Sequence, residues 1–316
     1  MNRPVIYLIF ALVISACTSG DPPEQQWELA VQGVYSATLS TNGKNALVGS
    51  IHHGGSFWRV QPKERLYDWN HEADKKTGVV TSAISDDGSH AATAEHRKIV
   101  LWSAKTGEAF WLWEAPANIQ DMDLDGSGTM ALLGLDSYEA ALFDIRNGGV
   151  KKRLNHDGIV QAVDMTPDMK WAITGGDDST VKVWDLQSGK VQHQWELNNQ
   201  IKSVAISRDG LYGFASSHRG ITRLWDLQTG KVLADFPKIS GHYRVARFDR
   251  AGTKLLTGTS SGQVHLWSVP KGVKKRTWTM PPRNPWVTQN TQVLDVAFSG
   301  NAIRAVGANG IVYHYK

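Results

Sequence analysis

Aromatic residues recur along this chain at a nearly constant interval, and the interval limits the folds that it can adopt. Successive members of the series are 44, 41, 41, 41 and 42 residues apart, and each closes a short run of β-forming residues. A turn follows these runs, as in "DLQSGK" and "DLQTGK". The series comprises Trp58, Trp102, Phe143, Trp184, Trp225 and Trp267. A period of about 40–45 residues predicts the four-stranded blades of a β-propeller.

The segment from His156 to Leu197 shows the strands of one repeat. "IVQAVDM", "WAITG", "TVKVWDL" and "VQHQWEL" read as strands, and "TPDMK", "GDDS" and "QSGK" read as the turns between them. The first turn recurs along the chain as "STNGK", "SDDGS", "LDGSG", "SRDGL" and "DRAGT". Asn, Asp and Gly there favour the left-handed backbone of a tight hairpin. The second strands are small and apolar throughout, which predicts burial on both faces between neighbouring blades.

A second series marks the outermost strands and predicts how the ring closes. It comprises Trp27, Trp69, Trp111, Leu154, Trp195, Phe236 and Trp278. "EQQWEL" around Trp27 resembles "QHQWEL" at the end of the fourth repeat, so we expect it to be the last strand of a blade. The C-terminal segment supplies only three strands, with Tyr315 in the position of Trp184. The sequence therefore predicts an all-β, seven-bladed propeller over residues 25–316, in which the N-terminal strand completes the last blade.

These repeats resemble those of the WD40 family. Trp184-Asp185 and Trp225-Asp226 match the dipeptide that names the family, and the fourth repeat matches best. The resemblance implies a structural hydrogen-bond tetrad formed by His156, Thr174, Asp178 and Trp184. The position of Asp178 holds His52, His96, Ser137, Arg219 and Ser261 in other repeats. A tetrad is therefore not expected in every blade.

The first 24 residues read as an export signal followed by a tether. Arg3 precedes an apolar run at 5–14 that is too short to span a bilayer, and Cys17, the only cysteine, follows it closely. "ISAC" at 14–17 resembles a bacterial lipobox, which implies a signal peptide at 1–16, a lipidated Cys17 and a tether at 17–24. In the lipoproteins that this segment resembles, a residue other than Asp directly after the cysteine favours sorting to the outer membrane. Thr18 therefore implies anchoring at the periplasmic face of the outer membrane.

Two other interpretations of the N-terminus are an ordinary secretory signal with an incidental cysteine and a cytosolic protein with a buried apolar N-terminus. "TSGDPPE" directly after the apolar run could not continue a helix, which disfavours the second. A single cysteine also excludes an internal disulfide.

Composition and motifs favour a binding protein over an enzyme. Lys and Arg number 34 against 30 Asp and Glu, and this net charge of +4 is spread along the chain, unlike the dense patch of a nucleic-acid binder. The sequence contains no G-x-S-x-G elbow, no H-E-x-x-H and no phosphate-binding glycine loop. We therefore expect no catalytic residue, cofactor or metal. The WD40 resemblance implies a monomeric scaffold or assembly factor for protein partners in the cell envelope.

Two alternatives stay open. "SAKTGEAFWLW" resembles the tryptophan-docking segments of quinoprotein-like propellers, although those enzymes commonly have eight blades and a vicinal cysteine pair. The ring could instead bind a small ligand or a cell-wall polymer in its central channel, toward which Gln120, Gln161 and Lys202 are expected to point.

In this fold the loops after the second and fourth strands open onto one face, where histidines concentrate. The candidate partner-binding residues of this face are His52, His53, His96, His218, Arg219, His242, Arg283 and Trp286. Arg283 and Trp286 belong to "MPPRNPW", which has residue types enriched at interface anchors. One interpretation of these histidines is a pH-sensitive or metal-binding surface. Degenerate tetrad positions and polar loops explain them more simply.

Two basic runs, "VKKRL" at 150–154 and "KGVKKRTW" at 271–278, lie on or just before fourth strands. Lysine on an edge strand prevents pairing with another chain, which is the simpler explanation. Contact with anionic lipid headgroups or cell-wall polymer is the alternative.

Overall fold

The computed structural model describes residues 20–50, 52–72, 75–283 and 291–316, and these ranges contain only β-strands and their connections. None of them contains a helix long and apolar enough to cross a membrane. In chain order the strands are β1 Gln25–Glu28, β2 Val34–Leu39, β3 Asn45–Ser50, β4 Gly54–Arg59, β5 Glu64–Trp69, β6 Thr81–Ile84, β7 His90–Glu95, β8 Lys98–Ser103, β9 Ala109–Glu114, β10 Ile119–Leu124, β11 Met130–Leu135, β12 Glu139–Asp144, β13 Val150–Asn155, β14 Val160–Met165, β15 Trp171–Gly176, β16 Thr180–Asp185, β17 Lys190–Glu196, β18 Ile201–Ile206, β19 Tyr212–Ser217, β20 Thr222–Asp226, β21 Val232–Asp235, β22 Tyr243–Phe248, β23 Lys254–Thr259, β24 Gln263–Ser268, β25 Val273–Thr279, β26 Val293–Ser299, β27 Ala302–Gly307 and β28 Ile311–Tyr315.

The strands form seven four-stranded antiparallel sheets, which are the blades of a propeller. Blades 1 to 6 each take four consecutive strands, from β2–β5 in blade 1 to β22–β25 in blade 6. Blade 7 has the order β1-β28-β27-β26, so its outermost strand comes from the other end of the chain. The predicted fold class, blade number and composite blade are all confirmed.

The core lies between the blades, where the periodic aromatic residues pack. Trp69, Trp225, Trp267 and Tyr315 are almost completely buried. The second strands are small because the next blade covers them closely: a Cβ at Gly175 would come within 2.3 Å of Ile201 in the next blade. The predicted burial of second strands on both faces therefore follows from close packing between blades.

Blade 7 is closed by main-chain pairing and by one buried arginine. Trp27 of β1 lies opposite Val312 of β28. Arg304, which is 5% exposed, donates to the carbonyl of Gly43 at 2.6 Å in blade 1. Its guanidinium also lies 5.2 Å from the ring centroid of Trp27. The guanidinium thus links the strand that completes blade 7 to blade 1.

The chain before β1 extends the contact to blade 6. Asp21 forms a parallel bridge with Trp278, on the outer edge of β25. The Asp21 N–H donates to the Thr277 carbonyl at 3.0 Å, and the Thr279 N–H donates to the Asp21 carbonyl at 3.1 Å. Asp21 belongs to the segment at 17–24 that was predicted to be a tether, and it lies against the ring.

The outer strand of blade 2 departs from the lysine-protected pattern. β9 reads "AFWLWE", and Phe110, Trp111 and Leu112 are each about half exposed. Three of the other six outermost strands, β5, β13 and β25, carry charged residues in the strand interior, as in the basic "VKKR" of β13 and β25. The simple edge-protection rule therefore does not describe blade 2.

The closing strand yields the first prediction. Deleting residues 20–30 should lower the free energy of unfolding by about 3–5 kcal/mol or more, since it removes Trp27 and opens the edge of β28. Chemical denaturation measures this change. A chain that begins at Gly20 is the matched control and should unfold like the full chain. Equal stability of the two shortened chains would contradict the structural role of β1.

Candidate functional site: the top face and central channel

We call the face onto which the second-to-third and fourth-to-first connections open the top face. Every first strand begins at this face and runs down the wall of the central channel. The channel encloses a cavity of about 460 Å³. Its wall is formed by the seven first strands, so the residues that face it are set by the register of these strands.

The four residues that the family resemblance singled out are joined in blade 4. The Trp184 indole N–H donates to Thr174 Oγ1 at 2.8 Å. Thr174 Oγ1 lies 2.7 Å from His156 Nε2, and His156 Nδ1 lies 2.9 Å from Asp178 Oδ2. A neutral imidazole satisfies this chain completely, because Nδ1–H donates to the carboxylate and Nε2 accepts from the threonine.

The ionisation of this chain follows from its burial. Burial lowers the pKa of His156 below its ordinary value, against the attraction of Asp178. Burial also disfavours the Asp178 carboxylate, but hydrogen bonds from the Asp157 and Thr180 N–H groups outweigh it and lower the pKa of Asp178. Both groups therefore keep the forms that the hydrogen bonds require at neutral pH. Neutral His156 and ionised Asp178 therefore stabilise the fold, and this stability is lost as the pH falls through their lowered folded pKa values.

Other blades retain only parts of this arrangement. In blade 2, Thr93 Oγ1 accepts from the Trp102 indole at 2.8 Å and lies 2.8 Å from His71 Nε2, while exposed His96 stands where Asp178 would be. His242 precedes β22 directly, and its N–H bonds Ser260 Oγ at 3.2 Å. A complete tetrad thus occurs only in blade 4 among the described residues.

A β-bulge recurs near the start of the first strand in six blades. Register shifts occur between Val34 and Ser36, and at the equivalent steps of β10, β14, β18, β22 and β26. The extra residue of each bulge lines the channel mouth, and Val80 takes this place in blade 2. From blade 1 to blade 7 these residues are Tyr35, Val80, Gln120, Gln161, Lys202, Arg244 and Leu294. We call them the mouth ring.

The mouth ring is divided into chemical sectors. Leu294, Tyr35 and Val80 make an apolar sector across blades 7, 1 and 2, and Tyr35 is 57% exposed. Lys202, which lies 3.7 Å from the Asp177 carboxylate, and Arg244 make a cationic sector in blades 5 and 6. Two glutamines lie between the sectors. A bulge re-aims a side chain, so the bulges explain why these residues meet at the mouth.

Two histidines lie beside the cationic sector of the mouth ring. The rings of His218 and His242 are 5.3 Å apart. Burial lowers the pKa of His242 to about 4, and the nearby His218, Arg244, Lys202 and Arg219 act in the same direction. His242 is therefore neutral above about pH 5.

Below the mouth, carboxylates on the first strands connect neighbouring blades. Asp121 accepts from the Val163 N–H at 3.0 Å, Asp123 from the Met165 N–H at 3.0 Å, and Asp164 from the Ile206 N–H at 2.7 Å. Each bond joins one blade to the next. Burial raises the pKa of Asp121 to about 7 and that of Asp164 to about 6. Burial and the Asp164 carboxyl raise the pKa of Asp123 well above its ordinary value.

At the closing joint the same device includes an arginine. Asp295 of blade 7 accepts from the Leu39 N–H of blade 1 at 2.7 Å and from Arg247 of blade 6 at 2.8 Å. Arg247 also donates to the Leu39 carbonyl at 3.1 Å. Near the opposite end of the channel, Arg208 of blade 5 forms an ion pair with Asp86 of blade 2. This pair crosses the channel, and we call the cavity between it and the mouth ring the cup.

The remaining candidates of the top face lie on separate blades. His52 and His53 are exposed in the β3–β4 turn, and His96 is exposed in the β7–β8 turn. Arg283 lies at the seam between blades 6 and 7, where it pairs with Glu28 at 2.6 Å and donates to two backbone carbonyls. Its guanidinium therefore holds the seam together. Trp286 and Cys17 lie outside the described residues.

Sequence reasoning identified three members of the mouth ring, Gln120, Gln161 and Lys202, but missed the others. The channel carboxylates were not predicted either, although "DMDL" places two Asp residues at alternate positions of β10. The described residues contain no group of three or more His, Cys, Asp or Glu side chains that could hold a metal ion.

Comparison with known families agrees with this geometry. Residues 149–185 match the model for the WD domain, G-beta repeat. The matched segment contains all four members of the blade 4 tetrad. A search of curated proteins found no significant match. Residues 149–185 are thus similar to one WD40 repeat, and they lie in a seven-bladed propeller of four-stranded blades.

The tetrad predicts a stability effect. Asp178→Ala should lower the free energy of unfolding by about 1–3 kcal/mol, because it removes the nearest acceptor of the buried His156 Nδ1–H and the acceptor of the Asp157 and Thr180 N–H groups. Denaturant unfolding at pH 7 measures the loss. Asp157→Ala, at the exposed neighbouring position, is the matched control and should be nearly neutral. Equal effects of the two substitutions would mean that the hydrogen-bond chain does not contribute.

The raised pKa of Asp121 predicts a pH effect of opposite sign. A carboxyl whose folded pKa is raised stabilises the fold at low pH, and this stability is lost as pH rises from about 4 through about 7. The Asn side chain of Asp121→Asn cannot ionise. The free energy of unfolding of this variant, relative to that of the wild type, should therefore rise by up to about 1.4 kcal/mol per pH unit in that range. Unfolding at pH 5 and pH 8 measures the difference. A pH-independent difference would contradict the raised pKa.

Proposed function

We propose that this chain is a non-catalytic scaffold that binds a protein partner through its mouth ring. We further propose that lipidated Cys17 anchors it to the periplasmic face of the bacterial outer membrane. The division of the mouth ring into an apolar and a cationic sector carries the proposal of partner binding. Aromatic and arginine side chains are enriched where interfaces concentrate their binding energy.

The cup below the mouth ring limits the partner's shape. A cavity of about 460 Å³ accepts a few side chains but not a folded domain. A loop or a terminal segment is therefore the expected contact. Acidic side chains would face Lys202 and Arg244, and apolar side chains would face Tyr35 and Leu294. The wide face around the cup offers further exposed groups, including Val31 at 66% and Tyr138 at 54% exposure.

The described channel supports a non-catalytic function. Its carboxylates are hydrogen-bonded to the main chain of the next blade, and Asp295 is also paired with Arg247. These bonds give the carboxylates a role in holding the ring together. A scaffold function needs only a rigid ring and a selective mouth, and both are supported by the contacts described above.

In-cell photo-crosslinking tests the proposal. A crosslinking amino acid at Tyr35 should capture one protein partner, whereas the same probe at Val191, exposed on the outer rim of blade 4, should not. Lys202→Gln with Arg244→Gln should reduce the Tyr35 adduct about tenfold or more, because charge pairs across an interface favour the correct partner. Fractionation of the same cells should show that Cys17→Ser releases the chain from the membrane.

Each arm has a contradicting result. Equal capture from Tyr35 and Val191, or an adduct that survives loss of both cations, would overturn binding at the mouth ring. Capture of no protein at Tyr35 would favour a small ligand or cell-wall polymer in the channel. Retention of Cys17→Ser at the membrane would overturn the anchor without affecting the partner result.

A further inference from the structure

The outer strands of blades 3 and 6 contain the same tetrapeptide in different electrostatic surroundings. Val-Lys-Lys-Arg occupies 150–153 in β13 and 273–276 in β25. Both strands are outermost in their sheets, so edge protection would require lysines equally in both. The surroundings decide whether these cations are available to a partner.

In blade 3 the third strand neutralises two of the three cations. β12 begins with Glu139 and ends with Asp144, and both carboxylates are largely buried. Lys151 Nζ lies 3.2 Å from Asp144 Oδ2, and Arg153 forms an ion pair with Glu139. The blade thus carries the counter-charges for its own basic strand.

In blade 6 the corresponding positions of β24 hold uncharged residues, Gln263 and Ser268. Arg276 pairs with Asp21 at 2.8 Å, and Lys274 lies 5.8 Å from the ring centroid of Trp267. None of the ion pairs among the described residues includes Lys271, Lys274 or Lys275, and all three residues are exposed. We call these three lysines the blade 6 cluster.

The N-terminal segment enters the fold beside this cluster. Asp21 runs parallel to β25 and bonds its edge at Thr277 and Thr279. Only three peptide steps separate Gly20 from Cys17, a reach of about 10 Å when extended. An acyl group on Cys17 would therefore hold the outer edge of blade 6 close to a bilayer surface.

We infer that the blade 6 cluster docks on the headgroups of anionic phospholipids and orients the ring with blade 6 toward the bilayer. The orientation rests on the proposed lipidation of Cys17, whereas the headgroup contact rests on the cluster itself. Unpaired lysines at an anionic surface each strengthen binding, and they add to the hold of an acyl anchor. Blade 6 then faces the lipid while the mouth ring stays open to a partner.

Vesicle co-sedimentation tests the contact without the anchor. Residues 20–316 contain every strand of the ring, so a chain of this length is used with vesicles of phosphatidylcholine alone or with one quarter phosphatidylglycerol. Lys271→Gln, Lys274→Gln and Lys275→Gln together should weaken binding to the anionic vesicles on the order of 100-fold. The matched control neutralises Lys151, Lys152 and Arg153 to Gln, which removes the same charge, and should change binding less than about threefold.

The outcomes separate the possibilities. Equal losses in the two triple variants would show a general charge effect and overturn the inference, as would failure of the wild-type ring to bind anionic vesicles. Equal binding to both vesicle types would assign the contact to an apolar surface such as β9. Since the assay lacks Cys17 and any partner, each of these results leaves the proposed anchor and mouth ring to their own tests. Unchanged thermal unfolding of both variants verifies that they are folded.

Discussion

The pairing of β1 with β28 is the contact on which the ring depends. Six blades are built from consecutive strands and close upon themselves locally, but blade 7 requires both ends of the chain. Arg304 and Asp295 strengthen this one joint from the outer and the inner side, through Trp27 and Gly43 in one case and Leu39 and Arg247 in the other. A propeller without its closing strand would expose an apolar sheet edge, and the rigid geometry of the mouth would be lost with it.

The fold could be predicted because each blade repeats one physical requirement. A large residue on the third strand of each blade must fill the layer between neighbouring blades, so Trp184 and its counterparts recur at the blade period. The tetrad of blade 4 was visible for the same reason, since its four residue types occupy fixed positions in a repeat. His242 shows the limit of such matching, because a Gly-His pair three residues closer to its strand meets His218 instead of a threonine.

The channel could not be predicted to the same extent. A first strand that is apolar on one face gives no sign of where a bulge will re-aim a side chain, and Arg244 and Tyr35 were missed for this reason. Asp123 and Asp164 were missed because an Asp beside a turn usually serves the turn, as Asp125 does here. Arg283 had the residue type of an interface anchor, but its hydrogen bonds hold the seam between blades, which only the three-dimensional arrangement reveals.

The composite blade also decides the order in which this molecule can be completed. Gln25 pairs with His314, so this contact must wait until residue 314 has been synthesised. Such a high separation in sequence slows folding, and the six finished blades present an open edge throughout that delay. The feature that makes the mature ring rigid therefore makes its assembly intermediate vulnerable to aggregation.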